Sequence, residues 1–212
     1  MKLRAWLLGC LGCMGCAAHT PPPSSASLAP DTTPLERPAA LRPNFSVRQH
    51  IEASSHGKSG AFDAVVQKQA HELLVVGLGP AGVRMFVLKQ NDAPADDGIT
   101  FEQSFGPKLP FSPRNIVLDI HRLFFIGLPA SARTADDGTF EGETAAGKIR
   151  EIWRGGELRE RQFSHPSRQG AILISYGAGC RKERCAPEYA TIDNGWFNYV
   201  LRIENSDYQF FD

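Results

Sequence analysis

From residue 44 onward, short segments alternating apolar with polar residues recur between glycine-bearing turns, and one stretch stands apart with helical spacing. Period-two alternation buries one face of a strand and wets the other, so such a chain is bound to build an antiparallel sheet covered on one side. Phe45 to Ile51 alternates, Ser55 to Gly60 is turn chemistry, and Ala61 to Gln69 resumes the extended pattern, predicting a hairpin. Lys148 to Arg154, Gly155-Gly156 and Glu157 to Phe163 predict another, around a two-residue turn that tolerates positive φ at both centres. Ala171 to Tyr176 is an apolar strand. Asn194-Gly195 reads as a type I′ turn, after which Phe197, Tyr199, Leu201 and Ile203 alternate with Asn198, Val200, Arg202 and Glu204.

The exception is the stretch after Ser112, a capping residue followed by Pro113, where a missing N–H costs nothing. Ile116, Ile120, Leu123 and Phe124 fall on one helical stripe, and Gly127 and Pro129 end it. The expected fold is mainly β (α+β): a curved antiparallel sheet or open half-barrel with one or more helices over its concave face. Thirteen Phe supply apolar volume, among them Phe86, Phe101, Phe105, Phe111, Phe124 and Phe125. A concave apolar face under a helix can be a filled core or can shelter a greasy ligand. On the second reading Ile116, Ile120, Leu123 and Phe124 are the candidate ligand-binding residues.

The N-terminus has a different composition. Lys2 and Arg4 precede the apolar run Ala5 to Gly15, which is too short to span a ~30 Å hydrocarbon layer and reads as an export signal. Cys10, Cys13 and Cys16 each follow glycine, and a small residue before Cys at the end of such a run resembles the bacterial lipoprotein cleavage box. Cys16 leaves the fullest apolar core and is the expected lipid-bearing residue; Cys10 and Cys13 are alternatives, as is a soluble signal peptide with incidental cysteines. The lipobox resemblance implies a membrane anchor through the N-terminal lipid. Ala17 stands where Asp would favour inner-membrane retention, so the implied address is the outer membrane, periplasmic side. The expected division is a signal over 1–15, the lipidated Cys and a Pro-rich tether over 16–43, and one domain over 44–212.

Cys180 and Cys185 form an even pair in an exported chain, and a structural disulfide is expected, with zinc and redox roles as weaker readings. The full chain has 23 basic and 23 acidic residues, and loss of Lys2 and Arg4 leaves it weakly acidic, which argues against a nucleic-acid partner. Gly77-x-Gly79-x-x-Gly82 after an apolar strand copies a dinucleotide-binding fingerprint, but Val83 to Gln90 is β-rich where a helix is needed. Strand, glycine turn, strand is the better reading, and no cofactor and no metal are expected. The histidines read as surface or satisfied core residues, and no nucleophile elbow is present, so no enzyme is expected.

The lipobox, the segments Phe62 to Gln69 and Glu72 to Gly77, Gly82-Val-Arg-Met-Phe-Val-Leu, Ser112 to Leu128 and Asn194 to Ile203 together resemble a family of small bacterial outer-membrane lipoproteins known as a domain of unknown function, often encoded near aryl-polyene biosynthesis genes. That family is similar in fold to the LolA and LolB lipoprotein carriers, an open β half-barrel whose concave side holds acyl chains. The resemblance implies a non-enzymatic lipoprotein that binds or carries an amphiphile, with a lipid, acyl or polyene-type tail, at the periplasmic face. The alternative is a structural or protein-binding envelope lipoprotein with a filled core, whose partners are envelope proteins.

Overall fold

The computed structural model describes residues 31–106, 112–182 and 184–212. Cys16, Phe111 and the stretch 1–30 lie outside the described residues. Five strands come first: β1 (Asn44–Ser55), β2 (Lys58–Gln69), β3 (Glu72–Leu78), β4 (Arg84–Asn91) and β5 (Ile99–Gln103). Among the described residues one α-helix, α1 (Pro113–Phe124), separates them from β6 (Gly138–Thr144), β7 (Gly147–Arg154), β8 (Glu157–Ser164), β9 (Ile172–Tyr176), β10 (Tyr189–Asn194) and β11 (Tyr199–Phe211).

All eleven strands join one antiparallel sheet in the order β5-β4-β3-β2-β1-β11-β10-β9-β8-β7-β6. The chain therefore builds one half outward from β1, crosses through α1 to the opposite edge, and returns strand by strand until β11 pairs with β1. The crossover lies on the inner face. Apolar residues from both halves of the sheet meet α1 in one cluster, including Val47, Val75, Ile149, Ile174 and Ile203 with Val117, Ile120 and Leu123. An open sheet this wide curls, and here it curls around its own connecting helix. Each aliphatic side chain fully buried there contributes about 1.5–3 kcal/mol.

The local chemistry accounts for most of the elements. Ser112 Oγ accepts the Asn115 amide at 3.2 Å, Pro113 opens α1, and the buried stripe comprises Val117, Leu118, Ile120 and Leu123. His56-Gly57 and Gly155-Gly156 are two-residue turns with positive φ at both positions, in register with the flanking pairs Ser55–Lys58 and Arg154–Glu157. The Gly77 fingerprint is strand, 3-10 turn, strand: β3 and β4 pair across Pro80–Gly82. Gly77 is glycine for packing, since a Cβ there would lie 2.1 Å from the Phe86 ring.

Two boundaries differ from the sequence expectation. Asn194-Gly195 is not the centre of a type I′ turn: Asn194 pairs with Tyr199, leaving a four-residue loop in which Asn198 takes the positive φ of 56°. The longer loop lets Trp196 turn inward, where it is buried against the Arg122 guanidinium. Phe197 thus belongs to the loop. The second difference lies in the expected tether, whose end is part of the folded domain. Asp31, Thr33, Pro38 and Leu41 are buried, and Arg114 donates to the Asp31 and Thr33 carbonyls, so residues from Asp31 strap across α1. Proline-rich composition shows that a segment builds no element of its own; it does not show whether the segment docks.

Cys180 and Cys185 are joined by a disulfide in the loop between β9 and β10. Closing so short a ring contributes about 2 kcal/mol on the chain-entropy estimate.

Candidate functional site

Between α1 and the inner face lies a narrow apolar cleft of about 50 Å³. Ile116, Ile120 and Leu123 form its helical wall, and Phe62, Ala64, Val75 and Phe86 with Ile192, Leu201 and Ile203 form the sheet side. Three of the four residues expected at a ligand surface thus stand together. Phe124 does not line the cleft; its ring packs on Phe45 with centroids 4.8 Å apart, because it projects to the side of the stripe where β1 begins. Cys16 lies outside the described residues, and Cys180 and Cys185 do not line the cleft.

The cleft is bordered by buried charge that the sequence reading passed over. Arg122 Nη2 donates to Asp31 Oδ2 at 2.6 Å and to Thr33 Oγ1 at 3.2 Å, and its guanidinium lies over the Trp196 and Phe163 rings. Asp119 lines the cleft itself: its Oδ2 accepts from Tyr199 Oη at 2.5 Å, and Asn194 Nδ2 donates to that same hydroxyl oxygen at 2.8 Å. Burial pushes the Asp119 carboxyl up to about 6, against the opposing pull of Arg122, Tyr199 and Asn194. Burial also works to raise the Asp31 carboxyl, but the Arg122 charge and hydrogen bonds from Arg122 and Thr33 outweigh it and hold it below its ordinary value. Next along α1, His121 is pushed down to about 4 by burial and by Arg122, so it is neutral near pH 7, with Nε2 at 2.8 Å from Gln90 Oε1.

A second network fixes the C-terminal end of α1. Arg161 Nη1 donates to the Arg122 carbonyl at 3.0 Å and Tyr176 Oη to the Leu123 carbonyl at 3.1 Å, satisfying two carbonyls that a helix end leaves without partners. Glu151, fully buried, accepts from Arg161 Nε, Trp153 Nε1 and the Leu128 amide at 2.9, 3.0 and 3.1 Å. Gly127 passes so close that a Cβ would meet Arg161 and Glu151 at 2.5 and 2.7 Å.

These polar residues had a sequence signal. Asp119 lies three residues after Ile116 and four before Leu123, on the apolar stripe. Glu151 shares its strand face with Ile149 and Trp153, Arg161 with Phe163, and Asn194 with Ile192. A polar residue on the inward parity of a half-buried strand is one that the fold must pair. Its partner is not legible, because it comes from a distant strand or from the strap.

A larger concavity, about 510 Å³, is bordered by Asp31, His165, Arg168 and Trp196. Its lining mixes polar with apolar surface and carries no buried polar atom without a partner among the described residues, whereas the cleft is almost wholly apolar, so the cleft is the better candidate for an apolar tail.

Among solved structures the chain is similar to a LolA superfamily protein from Nitrosomonas europaea, with 13% identity over 83% of this chain and 90% of that one and a TM-score of 0.47. It is also similar to a proposed outer membrane lipoprotein-sorting protein domain from Vibrio parahaemolyticus, with 9% identity, coverage of 79% and 85%, and a TM-score of 0.47. A DUF1329 family protein from Desulfovibrio piger gives 10% identity, coverage of 82% and 87%, and a TM-score of 0.49. No curated protein matches the chain. The model of DUF3261, a family of proteins of unknown function, matches residues 46–207, and the chain belongs to that family.

Proposed function

We propose that the protein is a non-enzymatic lipoprotein that binds or carries an amphiphile in the cleft beneath α1. The observation that supports this is the composition of the cleft: eleven apolar side chains from both halves of the sheet and from the helix converge on one unfilled space. Ligand sites for drug-sized molecules measure roughly 300–1,000 Å³. At about 50 Å³ the space beneath α1 is a closed form, and an acyl or polyene tail enters only as the helix moves away from the sheet. That small volume is also what favours the second reading, a filled-core lipoprotein that presents its surface to envelope proteins.

Uptake of diphenylhexatriene, an uncharged fluorophore, separates the two. The wild type should bind it, and Ala64→Ile, which extends a buried wall residue into the cleft, should lose most of that uptake while remaining folded, at an overpacking cost of about 1–3 kcal/mol. No uptake by the wild type supports the filled core; equal uptake by the variant places the probe elsewhere.

The anchoring part of the proposal rests on the sequence of residues 1–16 and is tested on its own. Cys16→Ser should abolish acyl labelling and release the protein from the membrane fraction, since the lipid is the only proposed attachment. Labelling that persists in Cys16→Ser and disappears when Cys10 or Cys13 is changed would reassign the lipid. Outer-membrane residence on the periplasmic side follows from Ala17 and is read by fractionation of the two membranes.

A further inference from the structure

Asp119 is the one acidic residue among the described residues in the wall of the cleft, and its two oxygens differ. Oδ2 is bound to Tyr199, whereas Oδ1 is buried without a hydrogen-bond partner among the described residues. The ion-pair partner of Oδ1, Arg122 Nη1, stands 3.9 Å away, and Arg122 already makes its close contact with Asp31 at 2.6 Å. Two carboxylates thus share one guanidinium. The other groups facing Asp119 do not restore the balance: Tyr199 and Asn194 come from the sheet as neutral residues, and His121 on the same helix is neutral. Gln49, the remaining polar residue of the wall, has its amide nitrogen bound to Asn205 Oδ1. An acceptor with spare lone pairs, buried beside an apolar cleft and short of positive charge, costs free energy until a donor reaches it, as one can when the helix moves away from the sheet.

The geometry points to Asp119 Oδ1 as the head-group receptor of the cleft: the occupant is an amphiphile whose polar end donates a hydrogen bond, as an amine or an alcohol does, and not a fatty carboxylate. This deepens the amphiphile-binding reading and rests on it. A carboxylate head would place a second negative charge against Asp119, whose own carboxylate accepts hydrogen bonds and donates none. A hydroxyl or ammonium head would complete the coordination of Oδ1 while its tail lies along Ile120, Phe86 and Ile203.

The test compares heads on one tail. Diphenylhexatriene bound to the purified protein is displaced with dodecylamine, dodecanol or dodecanoate at neutral pH. The amine and the alcohol should displace it at about tenfold lower concentration than the carboxylate, the span of one hydrogen bond to a charged group. Asp119→Asn keeps the side-chain shape and an oxygen for Tyr199, and whatever its affinity for the fluorophore, the amine and the alcohol should lose their advantage over the carboxylate in displacing it. Equal ranking of the three heads, or preference for the carboxylate, overturns the head-group assignment and leaves the cleft reading standing. Discrimination that survives in Asp119→Asn overturns it as well. Absence of fluorophore uptake by the wild type removes the cleft reading itself, and the assignment falls with it. If the variant fails to fold, the wild-type ranking still decides.

Discussion

Arg122→Met should destabilise the domain by about 3–5 kcal/mol, because it leaves the Asp31 and Asp119 carboxylates in the interior without their shared cation. Methionine keeps the apolar stem of the side chain, while the guanidinium contacts with Trp196 and Phe163 are lost together with the charge and form part of the effect. Urea denaturation at neutral pH measures it. Adding Asp31→Asn to Arg122→Met should recover part of the loss, since one of the stranded charges is then gone, and the non-additivity reports the coupling between strap and helix. The pH dependence has a definite sign. Without Arg122 both carboxyls titrate in the folded state above their unfolded values, so the variant gains stability as pH falls through those raised values toward the unfolded ones, whereas at neutral pH the full penalty is present. A loss below about 1 kcal/mol at neutral pH would mean that water reaches the two carboxylates and that the strap does not seal the helix.

Glu151→Ala should cost a comparable amount, about 3–5 kcal/mol, through the opposite imbalance. It removes the acceptor of Arg161 Nε, Trp153 Nε1 and the Leu128 amide together, leaving a buried cation and two buried donors. Glu151→Gln keeps one oxygen and the volume, and should fall between the wild type and the alanine variant. Arg161 also bonds the Arg122 carbonyl, so fraying should appear first in the last turn of α1, read as faster amide exchange of the Phe125 and Ile126 N–H groups that bond the His121 carbonyl. If Glu151→Ala unfolds in urea at the same concentration as the wild type, the network is dispensable and the helix end is held by apolar packing alone.

Both networks sit at places where the sequence was partly legible. Alternation from Phe45 to Ile51 and from Tyr199 to Ile203 marks which side chains turn inward, and the structure places Phe45, Val47, Ile51, Tyr199, Leu201 and Ile203 in the core. The Ser112-Pro113 start and the Ile116, Ile120, Leu123 stripe locate α1. The same alternation carries Gln49, Lys68, Gln90, Glu151, Arg161 and Asn194 inward, but parity alone does not say what each one meets. Glu151 and Arg161 are cross-strand partners on neighbouring strands, so that pairing follows once the β7–β8 register is known. Asp31 and Arg122 are 91 positions apart, and no local pattern links them.

The sequence by itself determined the class of fold, because strand alternation, the two-residue turns and the helix cap are short-range effects, each settled by a few neighbouring residues. It also determined the loop closed by Cys180 and Cys185, where five positions of separation suffice to bring the thiols together. Only the tertiary structure decided the order of the strands, with α1 as the crossover between the two edges and β11 returning to β1. Only there does the proline-rich stretch from Asp31 become a strap, since docking depends on Arg114 and Arg122, which reach it across the fold. The apolar stripe predicted that Ile120 would be covered; whether the space beneath it is filled is a matter of packing between both halves of the sheet, set by side chains such as Ala64, Phe86 and Ile192 that no single segment brings together.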